Sequence, residues 1–191
     1  MRLALVTTLL LPLALAPSHA GGVGPPAPGL WLEMHSWRLA GFGTGTLPIP
    51  KFRAFKGTFR GASIRIEHDV SLTYEFSNGT PMPRMFQARV LPSTNLMTQV
   101  GTICGSTTGI TGDTSQMVML MPFESKLVTI RSKSVATFDK NASFCGLVGS
   151  GPLGTYDAST GLLFGVPNHV DSALIGASGY HATRVLYRYG P

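Results

Sequence analysis

Residues 64–76 read IRIEHDVSLTYEF, and apolar or aromatic side chains alternate there with charged and hydroxyl ones. Because successive side chains of a β-strand point to opposite faces, this pattern predicts one long strand with a buried face and a solvent face. His68 is the only polar residue on the buried side, and Asp69 follows it on the solvent side. The segment therefore predicts an antiparallel sheet with one face closed over a core.

Nine further segments favour short strands separated by clusters of Gly, Pro, Asn and Asp, and no stretch shows a convincing helical period. These segments are Leu30–Leu39, Arg53–Phe59, Arg84–Leu91, Met97–Cys104, Gln116–Met121, Leu127–Arg131, Val135–Phe138, Leu162–Val166 and Ala182–Tyr189. The pattern predicts an all-β protein, a single antiparallel β-barrel of about eight to ten strands, with a β-sandwich as the alternative.

The amino-terminal segment has the features of a secretory signal peptide. Arg2 precedes an apolar run over Leu3–Ala16, and the small-x-small triplet Ser18-His19-Ala20 follows. The alternative, a membrane anchor, is disfavoured because the run is shorter than the roughly 20 residues of a span and contains Pro12. We therefore expect residues 1–20 to be removed and the protein to be secreted, or periplasmic in a bacterium, without a transmembrane span.

The next segment, Gly21–Gly29, holds four glycines and three prolines, a composition that predicts a flexible or extended leader. Residues 30–191 then form one domain. Its two cysteines, Cys104 and Cys145, predict a single disulfide bond because the count is even and the compartment is oxidising. A catalytic cysteine is the alternative. We expect no metal site and no cofactor, since the five histidines are scattered through the chain.

The net charge of +6 is concentrated in a basic stripe. Lys51, Arg53 and Lys56 are candidate ligand-binding residues for a cell-wall or matrix polyanion, and Arg60 and Arg65 extend the stripe. An ordinary half-buried strand or turn is the alternative, because phenylalanines interleave with the basic residues. No RNA-binding aromatic signature or DNA-reading helix is present, which argues against nucleic acid as a partner.

Two other patterns bear on modification and assembly. Asn78 and Asn141 begin Asn-x-Ser/Thr triplets, so both are candidate glycosylation sites if the source is eukaryotic. Met117, Met119 and Met121 alternate with apolar residues. A strand that is apolar on both faces predicts burial in the core or at a homo-oligomer seam, and binding of soft copper ions is the alternative.

The segment Gly146–Gly161 reads GLVGSGPLGTYDASTG and resembles the glycine-rich turn of dirigent proteins and the related allene oxide cyclase-like β-barrels. Gly154, Tyr156, Ala158 and Gly161 hold the matching places. The segment VGTICG, which starts at Val100, is similar to the middle strand of that superfamily.

This resemblance implies a barrel that binds a small apolar reactant and steers its coupling or cyclisation without a cofactor. It places Asp69 near a family carboxylate that faces the cavity, whereas alternation places His68 inside. Both are candidate catalytic residues, and Tyr74 is a candidate ligand-binding residue. The alternative is a secreted β-domain without chemistry that binds a polyanion or serves a structural role, so the sequence leaves it uncertain whether the protein is an enzyme.

Overall fold

The computed structural model describes residues 5–9, 29–100, 104–143, 146–164 and 167–191. These residues form an all-β structure with two antiparallel sheets and one 3₁₀ turn at Ala54–Lys56. The strands are β1 (Leu5–Leu9), β2 (Trp31–Ala40), β3 (Gly43–Pro50), β4 (Thr58–Asn78), β5 (Arg84–Val100), β6 (Cys104–Thr111), β7 (Thr114–Leu120), β8 (Ser125–Asn141), β9 (Pro152–Phe164) and β10 (Val170–Gly190).

The first sheet has the order β1-β2-β10-β4-β8, and the second has the order β3-β9-β5-β6, with β7 also pairing with β5. The all-β prediction is confirmed. The hydrogen-bonded pairs of the described strands form two sheets and do not close into a barrel. Among the same residues, no helix is long and apolar enough to span a membrane.

The alternation that predicts the central strand is confirmed along β4. Ile64, Ile66, Leu72 and Phe76 have no exposed surface and face the second sheet, while their odd-numbered neighbours lie on the outer face. The strand is longer than the segment that predicts it, because β10 pairs with it over almost its whole length. Burial of an aliphatic or aromatic side chain contributes about 1.5–3 kcal/mol, so this face holds the sheets together.

Two hydrophobic clusters fill the space between the sheets. One surrounds Trp37, Ile64 and Tyr187, and the other surrounds Leu72, Phe86 and Leu120. Between them β4 contributes His68, which the alternation places on the inner face. The core is therefore divided by a polar layer.

The glycine-rich segment is a strand for most of its length, which the sequence does not predict. Residues 146–151 form a loop, and β9 begins at Pro152 and pairs with β5. At Gly154 a Cβ would overlap the carbonyl oxygen of Met97 on β5, so glycine allows the close approach of these two strands. Tyr156 on the same strand packs against Trp37, with ring centroids 4.3 Å apart.

Three predicted features stay predictions. Leu5–Leu9 of the predicted signal peptide forms β1 and pairs with Met34–Arg38 of β2. Cleavage stays a prediction, and residues 21–28 of the predicted leader lie outside the described ranges. Cys145 also lies outside them, so the Cys104–Cys145 bond cannot be placed.

Candidate functional site

A groove crosses the outer face of the first sheet at the middle of β2, β10 and β4. Its cavity volume is about 280 Å³. The strand register sets its floor: Arg38, Ala182 and Glu67 lie directly opposite one another in one row across the three strands. Because alanine is the smallest side chain in that row, longer side chains from the neighbouring rows surround a depression above it. We call this depression the arginine groove.

The row next to Ala182 contains Ser36, Arg184 and Arg65, again directly opposite one another. All three line the groove. Like charges at directly opposite positions of neighbouring strands destabilise a sheet. Arg65 is compensated by Glu67, whose Oε2 accepts a hydrogen bond from Arg65 Nε at 3.2 Å. Within the described part of the chain, Arg184 has no ion-pair partner, so its charge is available to a ligand.

Arg38 is held on the opposite wall by an aromatic ring. Its guanidinium carbon lies 3.7 Å from the ring centroid of Tyr180. The Tyr180 hydroxyl donates to Glu67 Oε1 at 3.3 Å. Burial and the nearby Glu67 carboxylate both raise the pKa of Tyr180. Stacking fixes the plane of a guanidinium and leaves its N–H edge free to bind an acceptor.

The two catalytic candidates lie on opposite faces of β4. Asp69 is on the outer face, where Arg131 Nε and Nη2 donate to its two carboxylate oxygens at 2.8 and 2.7 Å. The hydrogen bonds from Arg131 hold the pKa of Asp69 below its usual range. His68 is on the inner face and is 1% exposed. Of the two candidates, His68 is therefore the interior residue, as the alternation predicts.

His68 does not lie alone in the interior. It faces His181 of β10 directly, with ring centroids 5.7 Å apart. Thr94 Oγ1 from the second sheet lies 2.6 Å from His181 Nδ1 and 3.4 Å from His68 Nδ1. Ser132 of β8 is buried beside them. We call His68, His181, Thr94 and Ser132 the histidine layer.

The histidine layer favours uncharged imidazoles. Burial lowers the pKa of both histidines, and that of His181 falls to about 4. Among the described residues, no hydrogen-bond partner reaches the buried Nε2 atom of either histidine or the buried hydroxyl of Ser132. A Cβ at Gly112 would overlap Ser132 Oγ and lie 2.6 Å from His68 Nε2. Glycine at 112 therefore keeps these polar atoms clear of a neighbouring side chain.

The other ligand-binding candidates are dispersed. Tyr74 is 3% exposed in the second hydrophobic cluster, and burial raises its pKa. Arg53 is exposed, and its guanidinium carbon lies 6.0 Å from the ring centroid of Phe55. Lys56 donates to Glu33 Oε1 at 2.6 Å. Lys51 is half-buried in the loop before the 3₁₀ turn. Of the predicted stripe, only Arg65 lines the arginine groove.

The two candidate glycosylation sites differ in exposure. Asn141 is exposed and its Oδ1 accepts a hydrogen bond from the Ser143 hydroxyl. Asn78 is 3% exposed, and its Nδ2 donates to the carbonyls of Met82 and Met121. Nδ2 is the atom to which a glycan would be attached, and in the folded protein it is buried and hydrogen-bonded within a turn. Use of either site stays a prediction.

Sequence reasoning does not identify Arg38, Tyr180, His181 or Arg184. The signal that could have found three of them is the alternation in residues 180–186, which read YHATRVL. That pattern places Tyr180 and Arg184 on one face and His181 on the other, as in β4. Which residues meet across the strands depends on the long-range register of β10 with β2 and β4, which alternation alone does not determine.

Comparisons with known proteins do not assign a family. No family model matches the chain, and no curated protein matches it. One comparison with solved structures finds a chain of the T13 IBDV viral particle, at 12% identity and a TM-score of 0.11. The alignment covers 91% of this chain and 43% of the viral one, and a likeness this weak supports no conclusion about fold or function. Within the described ranges, no group of three His, Cys, Asp or Glu side chains could hold a metal ion.

Proposed function

We propose that this protein is a binding domain that holds an anionic polymer, such as a carboxylated or sulfated polysaccharide, in the arginine groove. The observation that carries the proposal is the pair Arg184 and Arg65, which lie directly opposite each other, while among the described residues only Arg65 has a carboxylate partner. An anion bound between them would relieve the repulsion that the sheet otherwise carries.

The charges that line the groove support an anionic ligand. Three arginines, Arg38, Arg65 and Arg184, surround one acid, Glu67. Guanidinium groups bind carboxylates and sulfates through paired N–H donors, which gives direction as well as charge. A neutral or cationic ligand would gain nothing from this arrangement.

The surroundings of the groove support a polymer over a small ion. The outer face continues beyond the groove along β8, where Arg131 and Lys133 are exposed. Arg188 lies further along β10, and its Nη2 is 3.5 Å from Asp139 Oδ1. A chain with repeated negative charges could contact several of these side chains at once, and each added contact would increase its residence time. The predicted export of the protein would place it among such polymers.

The alternative function, a dirigent-like barrel that steers a small apolar reactant, stays a prediction. Its cavity would require interior space beside His68, and the described interior positions on either side of it, Ile66 and Val70, are packed in the core. The observations therefore favour a ligand-binding site on the outer face of the first sheet over a cavity beside His68.

The test is retention on immobilised heparin and on polygalacturonate, eluted with a NaCl gradient. Arg184→Ala should elute at lower salt than the wild type, with an affinity loss of about tenfold, the value of one charged hydrogen-bonded contact. Arg184→Lys should recover only part of this loss, because lysine keeps the charge and lacks the planar pair of donors.

Arg89→Ala is the matched control. Arg89 pairs with Asp113 on the outer face of the second sheet, so its removal changes the net charge equally without affecting the groove. Equal elution shifts for Arg184→Ala and Arg89→Ala would show that retention follows net charge alone and would overturn the proposal.

A further inference from the structure

A second surface, on the outer face of the second sheet, is rich in methionine. Five of the chain's eight methionines lie where β5 pairs with β7, over Arg84–Val90 and Thr114–Leu120, and on the turns at that end: Met82, Met85, Met117, Met119 and Met121. Their side chains are between 53% and 68% exposed. Of β7 only Val118 and Leu120 face the core, so the methionine face is not buried within the chain, and its burial at a seam between copies stays a prediction.

The register places three of these methionines next to one another on the outer face. Met85 and Met119 lie directly opposite each other on β5 and β7. Met117 is two residues from Met119 on the same strand, so it shares the outer face and lies diagonal to Met85. Directly opposite Cβ atoms are about 5 Å apart and diagonal ones about 7–8 Å. Methionine has three rotatable side-chain bonds, which is enough freedom for the sulfurs to converge on one point.

Among the described residues on the outer face of β5 and β7, no unpaired positive charge would repel a cation bound at the three methionines. Gln87, directly opposite Met117, donates to the hydroxyl of Ser115 and is neutral. The nearest outer-face cation along β5, Arg89, is paired with Asp113 through two hydrogen bonds. These outer-face neighbours of the three methionines are therefore neutral or paired, and the thioether sulfurs are soft ligands.

We propose that Met85, Met117 and Met119 form a binding site for one Cu(I) ion, held by their three thioether sulfurs. Thioethers are soft ligands that select Cu(I) over the harder divalent ions. Leucine or valine would give a strand the same apolar surface, so burial against a partner does not require methionine at these positions. Metal coordination does require the sulfur.

The proposed site makes a distinctive prediction about acidity. Histidine, cysteine and carboxylate ligands must lose a proton to bind a metal, so their affinity falls in acid. Thioethers carry no such proton. Affinity for the ion should therefore be constant between pH 7.5 and pH 5.

The test uses the purified full chain with its methionine methyl groups labelled with ¹³C. Ag(I), which has the same soft character and does not change its oxidation state in air, is titrated first. We expect shifts of the Met85, Met117 and Met119 methyl signals that end at one equivalent. Cu(I) affinity is then measured anaerobically by competition with bicinchoninate.

The double variant Met85→Leu/Met119→Leu keeps the apolar surface and removes two sulfurs, so it should lose tenfold or more of the Cu(I) affinity, as loss of ligands costs at least as much as loss of outer-shell partners. Met97→Leu is the matched control, because Met97 is half exposed on β5 and lies outside the cluster. Unchanged affinity in the double variant would overturn the proposal. Methyl signals that respond to protein concentration and not to Ag(I) would overturn it too, and would indicate a contact between copies of the chain.

Discussion

His181 and His68 lie directly opposite each other on β10 and β4, buried between the two sheets, with one threonine hydroxyl within reach of both rings. Thr94 Oγ1 has a single proton, so it can donate to only one of the two Nδ1 atoms and must accept from the other. The carboxylate of Asp69, which follows His68 in the sequence, lies on the opposite face and pairs with Arg131. Burial between the sheets therefore favours the neutral form of both rings.

This relationship predicts that the protein loses stability in mild acid. An unfolded histidine takes up a proton near pH 6.5, whereas the pKa of folded His181 is about 4. Between these values the unfolded state binds more protons, so the free energy of unfolding falls as the pH falls. His181 alone lowers the free energy of unfolding by about 3 kcal/mol across that window. His68, whose pKa is also lowered, changes the free energy of unfolding in the same direction.

Urea denaturation at pH 7.5, 6.5, 5.5 and 4.5 measures this effect. In His181→Gln the decline between pH 6.5 and pH 4.5 should be markedly shallower than in the wild type. An equally steep decline in the variant would show that other groups cause the acid sensitivity.

Gly112→Ala should destabilise the protein by about 1–3 kcal/mol, because the added methyl group would press on Ser132 Oγ and His68 Nε2. Gly176→Ala is the control, since a Cβ there meets no atom within 4 Å. Chemical denaturation compares the two. Combining Gly112→Ala with Ser132→Ala removes the closest contact and should restore part of the stability, and the idea fails if the double variant is no more stable than Gly112→Ala.

Glu33 should stabilise the fold through its two hydrogen bonds. Its Oε1 accepts from Lys56 Nζ at 2.6 Å and from His35 Nε2 at 2.8 Å. Burial raises the pKa of Glu33, but the hydrogen bonds and charges of Lys56 and His35 outweigh it, so the net pKa is lowered. The carboxylate's contribution is therefore complete above its unfolded pKa and is lost as the pH falls through the lower folded value.

Glu33→Gln should cost about 1–3 kcal/mol at neutral pH, because Lys56 loses its charged partner. The measurement is the urea midpoint, with Glu75→Gln on β4 as the control. Equal midpoints for the two variants would show that the Glu33 contacts contribute nothing specific.

Asn78 is expected to be a structural residue of the turn that follows β4. Its Nδ2 donates to two carbonyls, and its Oδ1 accepts from the backbone N–H and the hydroxyl of Thr80. Asn78→Asp replaces the two donors by an acceptor and should cost about 2–4 kcal/mol. Asn141→Asp, at the exposed triplet, should cost almost nothing. Thermal unfolding followed by circular dichroism compares them, and similar losses in both would contradict this role.

Local patterns predict the parts of the fold that local physics determines. The alternation around Ile64 gives the inner and outer faces of β4, including the inward position of His68, because strand side chains have a period of two. The same reasoning misses β3 and starts β9 ten residues late, at Leu162 where the strand begins at Pro152. Glycines in those segments look like turns, yet Gly154 lies in a strand because another backbone approaches it closely.

The candidate site depends on register, and register is non-local. Arg65 lies in the predicted basic stripe, but its neighbours Arg184 and Arg38 come from strands that are far away in the sequence. Lys56 belongs to the same stripe by sequence and is instead paired with Glu33. Charge spacing along one segment therefore predicts a basic surface without predicting which cations share it.

The most direct measurement of the central claim is a titration of the ¹⁵N-labelled protein with a heparin-derived oligosaccharide, followed by the Nε–Hε signals of the arginines. We predict saturable shifts for Arg184, Arg38 and Arg65 and none for Arg89, which lies on the other sheet. Shifts confined to Arg53 and Arg60, or equal shifts at every exposed arginine including Arg89, would contradict binding in the arginine groove.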